Sequence, residues 1–162
     1  PSIPRHCARG VVVNVTPAIR LGLLFLVGLL GGCEKHRLDE QVKELCAKDG
    51  GVRIYEVVPR PRDEFDEYGA VSIFHPGRGQ DALGPEYVFD EAKTLYQAGD
   101  PQVSRSHYKV VRKSDGKVLG ESVLYSRSGG DIPSPMYQRS FVCPPFSEAG
   151  VAALLRGVFR PG

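Results

Sequence analysis

The sequence predicts an α+β fold with an N-terminal amphipathic helix, an antiparallel sheet of about four to five strands and a short C-terminal helix. Three observations carry that expectation. In residues 34–48, Leu38, Val42, Leu45 and Cys46 recur at helical spacing among charged residues. In residues 106–125, two runs rich in β-branched and aromatic residues flank Asp115-Gly116. In residues 147–159, Val151, Leu154, Leu155 and Val158 again fall on one helical side. Length and composition suit such a domain, since 162 residues with 41% hydrophobic and 25% charged content are ordinary globular values. They exclude a disordered chain, a collagen-like repeat and a multi-span membrane protein.

Each element has a local signal. The first helix stops at Asp49-Gly50-Gly51, where glycine ends helices readily. Residues 52–58 (VRIYEVV) are β-rich and meet Pro59, so they predict a strand. Residues 63–68 predict a single turn that tucks Phe65 and Tyr68 inward, and 71–74 predict a short strand. Over 86–99, Tyr87-Val88-Phe89 favours a strand in the first half, although Val88, Ala92, Leu95 and Tyr96 also fit a helical stripe. Asp115-Gly116 is a strong two-residue hairpin signal. With that turn, Tyr108, Val110, Leu119, Val123 and Tyr125 share one face, on which Glu121 is the single charged intruder. Residues 126–135 (SRSGGDIPSP) predict a loop, 141–143 a return to extended structure, and 147–159 a helix capped by Ser147.

The first 32 residues differ from the rest. Arg5, Arg9 and Arg20 precede the apolar run LGLLFLVGLL at 21–30, and no acidic residue occurs before Glu34. A run of 10 residues is short of the about 20 that a spanning helix needs. A basic flank, a short apolar core and small residues at its end are the parts of a secretory signal peptide. Leu30-Gly31-Gly32-Cys33 resembles the lipobox of bacterial lipoproteins. That resemblance implies a leader, 1–32, cut away, diacylglycerol joined to the Cys33 thiol, and a single periplasmic domain over 33–162 held to the membrane by acyl chains. Glu34 after the Cys, in place of Asp, points to the outer membrane facing the periplasm. Three further strings, at 45–56, 84–87 and 114–117 followed by 128–131, resemble small uncharacterised proteobacterial lipoproteins. These offer no catalytic residue to carry over.

Without Arg5, Arg9 and Arg20, 18 basic residues face 19 acidic ones, so the formal charge of +2 belongs to the leader and gives no support to a nucleic-acid partner. With Cys7 in the leader and Cys33 acylated, Cys46 and Cys143 remain as a pair in an oxidising compartment. A disulfide is the economical expectation, and two separately buried thiols the alternative. Arg105, Lys109, Arg112, Lys113 and Lys117 cluster along and beside the hairpin. They read either as a contact surface for an envelope protein or anionic envelope polymer, or as a solvated pattern that protects a sheet edge.

Catalytic and metal signals are sparse. His36, His75 and His107 occur outside any HExxH or CxxC spacing, the acids at 63–68 lack the alternation of a calcium loop, and Gly77 and Gly79 lack phosphate-loop spacing. Ser128, His107 and Asp131 can be written as a triad, but Ser128 has no strand-turn-helix context. The expectation is therefore a lipid-anchored envelope protein that is not an enzyme, needs neither cofactor nor metal, and serves as a binding or accessory module. The alternatives are an inhibitor of an envelope hydrolase such as lysozyme, and an envelope hydrolase working through an unrecognised site.

Overall fold

The computed structural model describes residues 34–130 and 140–162. The expected signal peptide, Cys33 and Asp131 lie outside the described residues. Within them the chain is α+β, built on an antiparallel five-stranded sheet, with a short C-terminal helix. The compact unit runs from Glu34 to Gly162.

Helix α1 occupies 34–49 and leads into β1, Gly51–Ile54. Strand β2, Val58–Arg60, leaves the main sheet. The expected strand over 52–58 is therefore two strands, because the amides of Tyr55 and Glu56 both donate to the carbonyl of Leu119 and turn the chain there. A 3-10 turn at Arg62–Glu64 and another at Pro76–Asp81 follow. The expected strand at 71–74 reduces to one bridge between Phe65 and Val71. Strands β3 (Tyr87–Gln97), β4 (Gln102–Arg112) and β5 (Val118–Ser128) form an antiparallel meander. The first of these continues through the half of 86–99 that the sequence left ambiguous. Strand β6, Phe141–Cys143, pairs with the end of β5. The order across the sheet is β1, β5, β4, β3, with β6 beside β5.

The C-terminal segment forms α2 (Phe146–Ala149), α3 (Val151–Val158) and β7 (Phe159–Pro161), which pairs parallel with β2. The expected single helix is broken at Gly150, whose backbone is extended (φ −73°, ψ 172°), so Ser147 lies inside α2 and caps nothing. The break lets the Ala149 carbonyl accept a hydrogen bond from the buried Ser122 hydroxyl while Leu154 and Val158 pack against β5.

The β4–β5 register corrects the expected hairpin. Arg112 donates its amide to the Lys117 carbonyl, so 113–116 form the loop, and Leu119 is an extra residue between the pairs Val111↔Val118 and Val110↔Gly120. Beyond that bulge His107 faces Val123 and Tyr108 faces Ser122. The slip of one residue from the two-residue turn separates Tyr108 and Val110 from Val123 and Tyr125. The bulge turns Leu119 toward Val110 as well. Both faces of the sheet thus bury apolar residues. One holds the main core, with Phe89, Val110 and Leu119 against Leu154 and Val158. The other holds Val103, Val123 and Tyr125 against Leu38, Val42 and Cys46 of α1. Each such fully buried aliphatic side chain contributes about 1.5–3 kcal/mol.

A disulfide ties α1 to β6. Cys46 and Cys143 are bonded across a separation of 97 residues, with their Cα atoms 5.8 Å apart. Two polar contacts reinforce the attachment: the buried Arg127 of β5 meets Asp39, and Tyr125 donates to Asp49 at 2.7 Å.

Two outcomes follow from this packing. Changing Cys143 to Ser lowers unfolding stability by about 2–5 kcal/mol, as read from denaturant midpoints, and makes stability insensitive to added reductant. A Cβ at Gly120 would lie 2.8 Å from Val158 Cγ2, 3.1 Å from Leu154 Cδ1 and 3.2 Å from the Arg53 carbonyl. Gly120→Val therefore costs about 1–3 kcal/mol in the same assay.

Candidate functional site

Alternation along β4 sends Arg105, His107 and Lys109 to the face that α1 only partly covers. Register brings Val123 opposite His107, and Glu121 opposite both Lys109 and Arg53 of β1. The chain then bends at Tyr55, which places that ring beside Glu121. A compact polar network results. Tyr55 donates to Glu121 Oε1 at 2.6 Å, His107 Nε2 lies 2.8 Å from Glu121 Oε2, and Arg53 stands 3.5 Å from Oε1. The His107 and Glu121 side chains are largely buried, 16% and 19% exposed, whereas Tyr55 is open to solvent at 54%.

Electrostatics follow from these contacts. The Tyr55 hydroxyl holds the Glu121 carboxyl below the usual range, against the opposing effect of burial, with His107 and Arg53 adding to the depression. The same bond pushes the Tyr55 phenol up. A second knot lies at the end of α1, where Arg105 reaches Asp49 at 2.9 Å and Tyr125 at 3.2 Å. Burial pushes the Asp49 carboxyl up, yet the hydrogen bonds from Tyr125 and Arg105 together outweigh it and the carboxyl ends below its ordinary value. Burial and then the bond to Asp49 push the Tyr125 phenol up.

Each of the five basic residues singled out in the sequence has an acid against it. Arg105 holds Asp49, and Lys109 stands 3.9 Å from Asp90. Arg112 contacts Glu56 and, at 2.9 Å, Asp115. Lys113 meets Asp81 at 2.7 Å, and Lys117 meets Glu56 at 2.7 Å. Ion pairs near the surface add little to stability, but they remove the uniform field that a long polyanion follows.

Of the written triad, His107 and Ser128 are not brought together. His107 pairs with Val123 and Ser128 with Gln102, five positions along the strand, a distance of roughly 17 Å. They also point to opposite faces. Among the described residues no group of three or more His, Cys, Asp or Glu side chains could hold a metal ion. No helix among them is long and apolar enough to cross a membrane.

On the opposite face, Phe74, Phe89, Tyr108, Val151 and Glu91 line an open cleft of about 340 Å³. Its wall is aromatic: Phe74 meets Phe89 edge-on at 5.2 Å, and Phe89 stacks on Tyr108 at 6.0 Å. Sequence reasoning missed this cleft, since 71–80 carries no motif and joins β3 only in three dimensions. In the sequence Glu121 shows only as a lone charge in an apolar alternation, the one local signal of the network. Compared with known proteins, the chain matches no family model, no curated protein and no solved structure.

The depressed carboxyl has a measurable consequence. Glu121 ionises more readily folded than unfolded, so its stabilisation is complete above its unfolded value of about 4.3 and is lost as pH falls through its lower folded value. Glu121→Gln therefore lowers stability by about 1–3 kcal/mol at neutral pH. The difference from the wild type shrinks as the solution is acidified below about pH 4, in urea melts recorded across pH.

Proposed function

We propose that this chain is a lipid-anchored protein of the cell envelope, held through Cys33 to the outer membrane and facing the periplasm, where it serves as a non-enzymatic binding or accessory module. The observation that carries the reading is the Cys46–Cys143 disulfide. Such a bond persists in oxidising compartments and is opposed by cytosolic reductants. Two other features support it. The lipobox-like Leu30-Gly31-Gly32-Cys33 adjoins a compact unit that opens at Glu34. The polar side chains of the α1 face are engaged with one another, Glu121 with Tyr55 and His107, Asp49 with Arg105 and Tyr125. That arrangement suits a stable surface better than a reacting group.

A second reading draws on the His107–Glu121 bond, which has the form of a base held by an orienting carboxylate. On that reading the protein is an envelope hydrolase, and His107→Ala abolishes turnover of envelope ester or amide substrates. On the first reading the same substitution leaves membrane attachment unchanged and removes no turnover.

The anchor is tested by producing the chain and its Cys33→Ser variant in a Gram-negative host and weighing the membrane-fractionated products by mass spectrometry. The expected product begins at residue 33 and carries acyl mass that the variant lacks. An unacylated product in the soluble fraction with 1–32 intact overturns the reading.

A further inference from the structure

Among the described residues the sheet has one long edge without a strand partner, exposed over 91–96. On the far side, β1 offers 4 residues and β6 only 3, whereas β3 runs for 11 residues with no described strand on its outer side. Residues 91–96 are exposed along that edge, with Leu95 at 52% and Tyr96 at 48%. A row of unpaired backbone donors and acceptors flanked by exposed apolar side chains is a template for another strand. The bulge of β3 falls between Leu95 and Gln97, so the stretch before it keeps a regular register.

We propose that the protein forms a symmetric dimer in which β3 pairs antiparallel with β3 of a second copy, centred on Ala92. The register follows from charge. A two-fold axis perpendicular to the sheet preserves its faces, so the strands must centre on a residue. Centring on Lys93 opposes two lysines, and centring on Glu91 opposes two glutamates. Centring on Ala92 sets Glu91 of each copy against Lys93 of the other, giving two ion pairs by symmetry. Neither side chain makes an ion pair within the chain among the described residues. The same register puts Leu95 of one copy opposite Phe89 of the other, on the face where the aromatic cleft of about 340 Å³ opens. The exposed leucine thus has an apolar receptor at the position the register dictates. The two sheets join into one continuous sheet, and the long edge disappears.

Charge reversal tests the register. The chain is studied by sedimentation equilibrium in a density-matched detergent, alone and with Glu91→Lys, Lys93→Glu or both. The expected result is a dimer whose dissociation constant rises about tenfold or more with either single reversal. The double reversal restores it to within about threefold, since the pairs re-form with opposite polarity. Independently, Ala92→Cys lies on the axis and yields a reducible covalent dimer under mild oxidation. A wild type that stays monomeric, or a dimer indifferent to the single reversals, overturns the proposal, as does a double variant that dissociates like the single ones.

Discussion

The pairing of β4 with β5 is the constraint on which the rest of the structure depends. A loop at 113–116 and one extra residue at Leu119 set a register that places Val110 and Leu119 on one face and Val123 and Tyr125 on the other. Shifting it by one residue would exchange the faces of every side chain on one strand. The sheet could then no longer bury α3 on one side and α1 on the other. The bulge also supplies the Leu119 carbonyl that turns β1 at Tyr55 and sends the chain out to β2, where it later meets β7.

The two faces are held by different physics. Against α3 the packing is apolar and close, to the point that Gly120 and Gly157 leave no room for a methyl group. Against α1 the apolar set is small, and it is joined by a disulfide, the Asp39–Arg127 contact and the Asp49–Arg105–Tyr125 knot. A buried guanidinium is expensive unless it is met by an acid and carbonyls, and Arg127 is met by Asp39 and by the Gly129 carbonyl. Side-chain bonds and one covalent link thus replace part of the packing that a larger core would supply.

This division bears on the proposed role. A helix bonded covalently to the sheet can carry a load at its N-terminal side without peeling away, which is what a lipid anchor directly before Glu34 would require. The near neutrality of the folded unit, with each of the five hairpin bases matched by an acid, argues for recognition by shape and local polarity over attraction to a long polyanion. The proposed dimer uses shape and local charge in the same way: two short-range ion pairs and a leucine in an aromatic cleft.

Patterns that act over a few residues could be read directly. The Asp-Gly loop, the β-rich runs around it and the apolar side of the C-terminal helix all depend on backbone preferences and periodicities that neighbouring residues set among themselves. Cys46 and Cys143 were legible as a pair only by elimination among four cysteines, since nothing local joins residues so far apart. What only the tertiary structure decided is register and proximity. An Asp-Gly signal does not reveal that its loop takes in Lys113 and Ser114, nor that Leu119 bulges. Local alternation alone therefore puts Tyr108 and Val110 on the face of Val123 and Tyr125 and makes Glu121 a misplaced charge, whereas the folded register makes it the centre of a network with Tyr55, His107 and Arg53. The acids that neutralise the hairpin come from 49, 56, 81 and 90, segments that approach it only after folding. Periodicity is a property of consecutive residues and survives in the sequence. Pairing between distant segments is settled by which register buries the most apolar surface while leaving no polar group unmet, and that sum exists only in the folded chain.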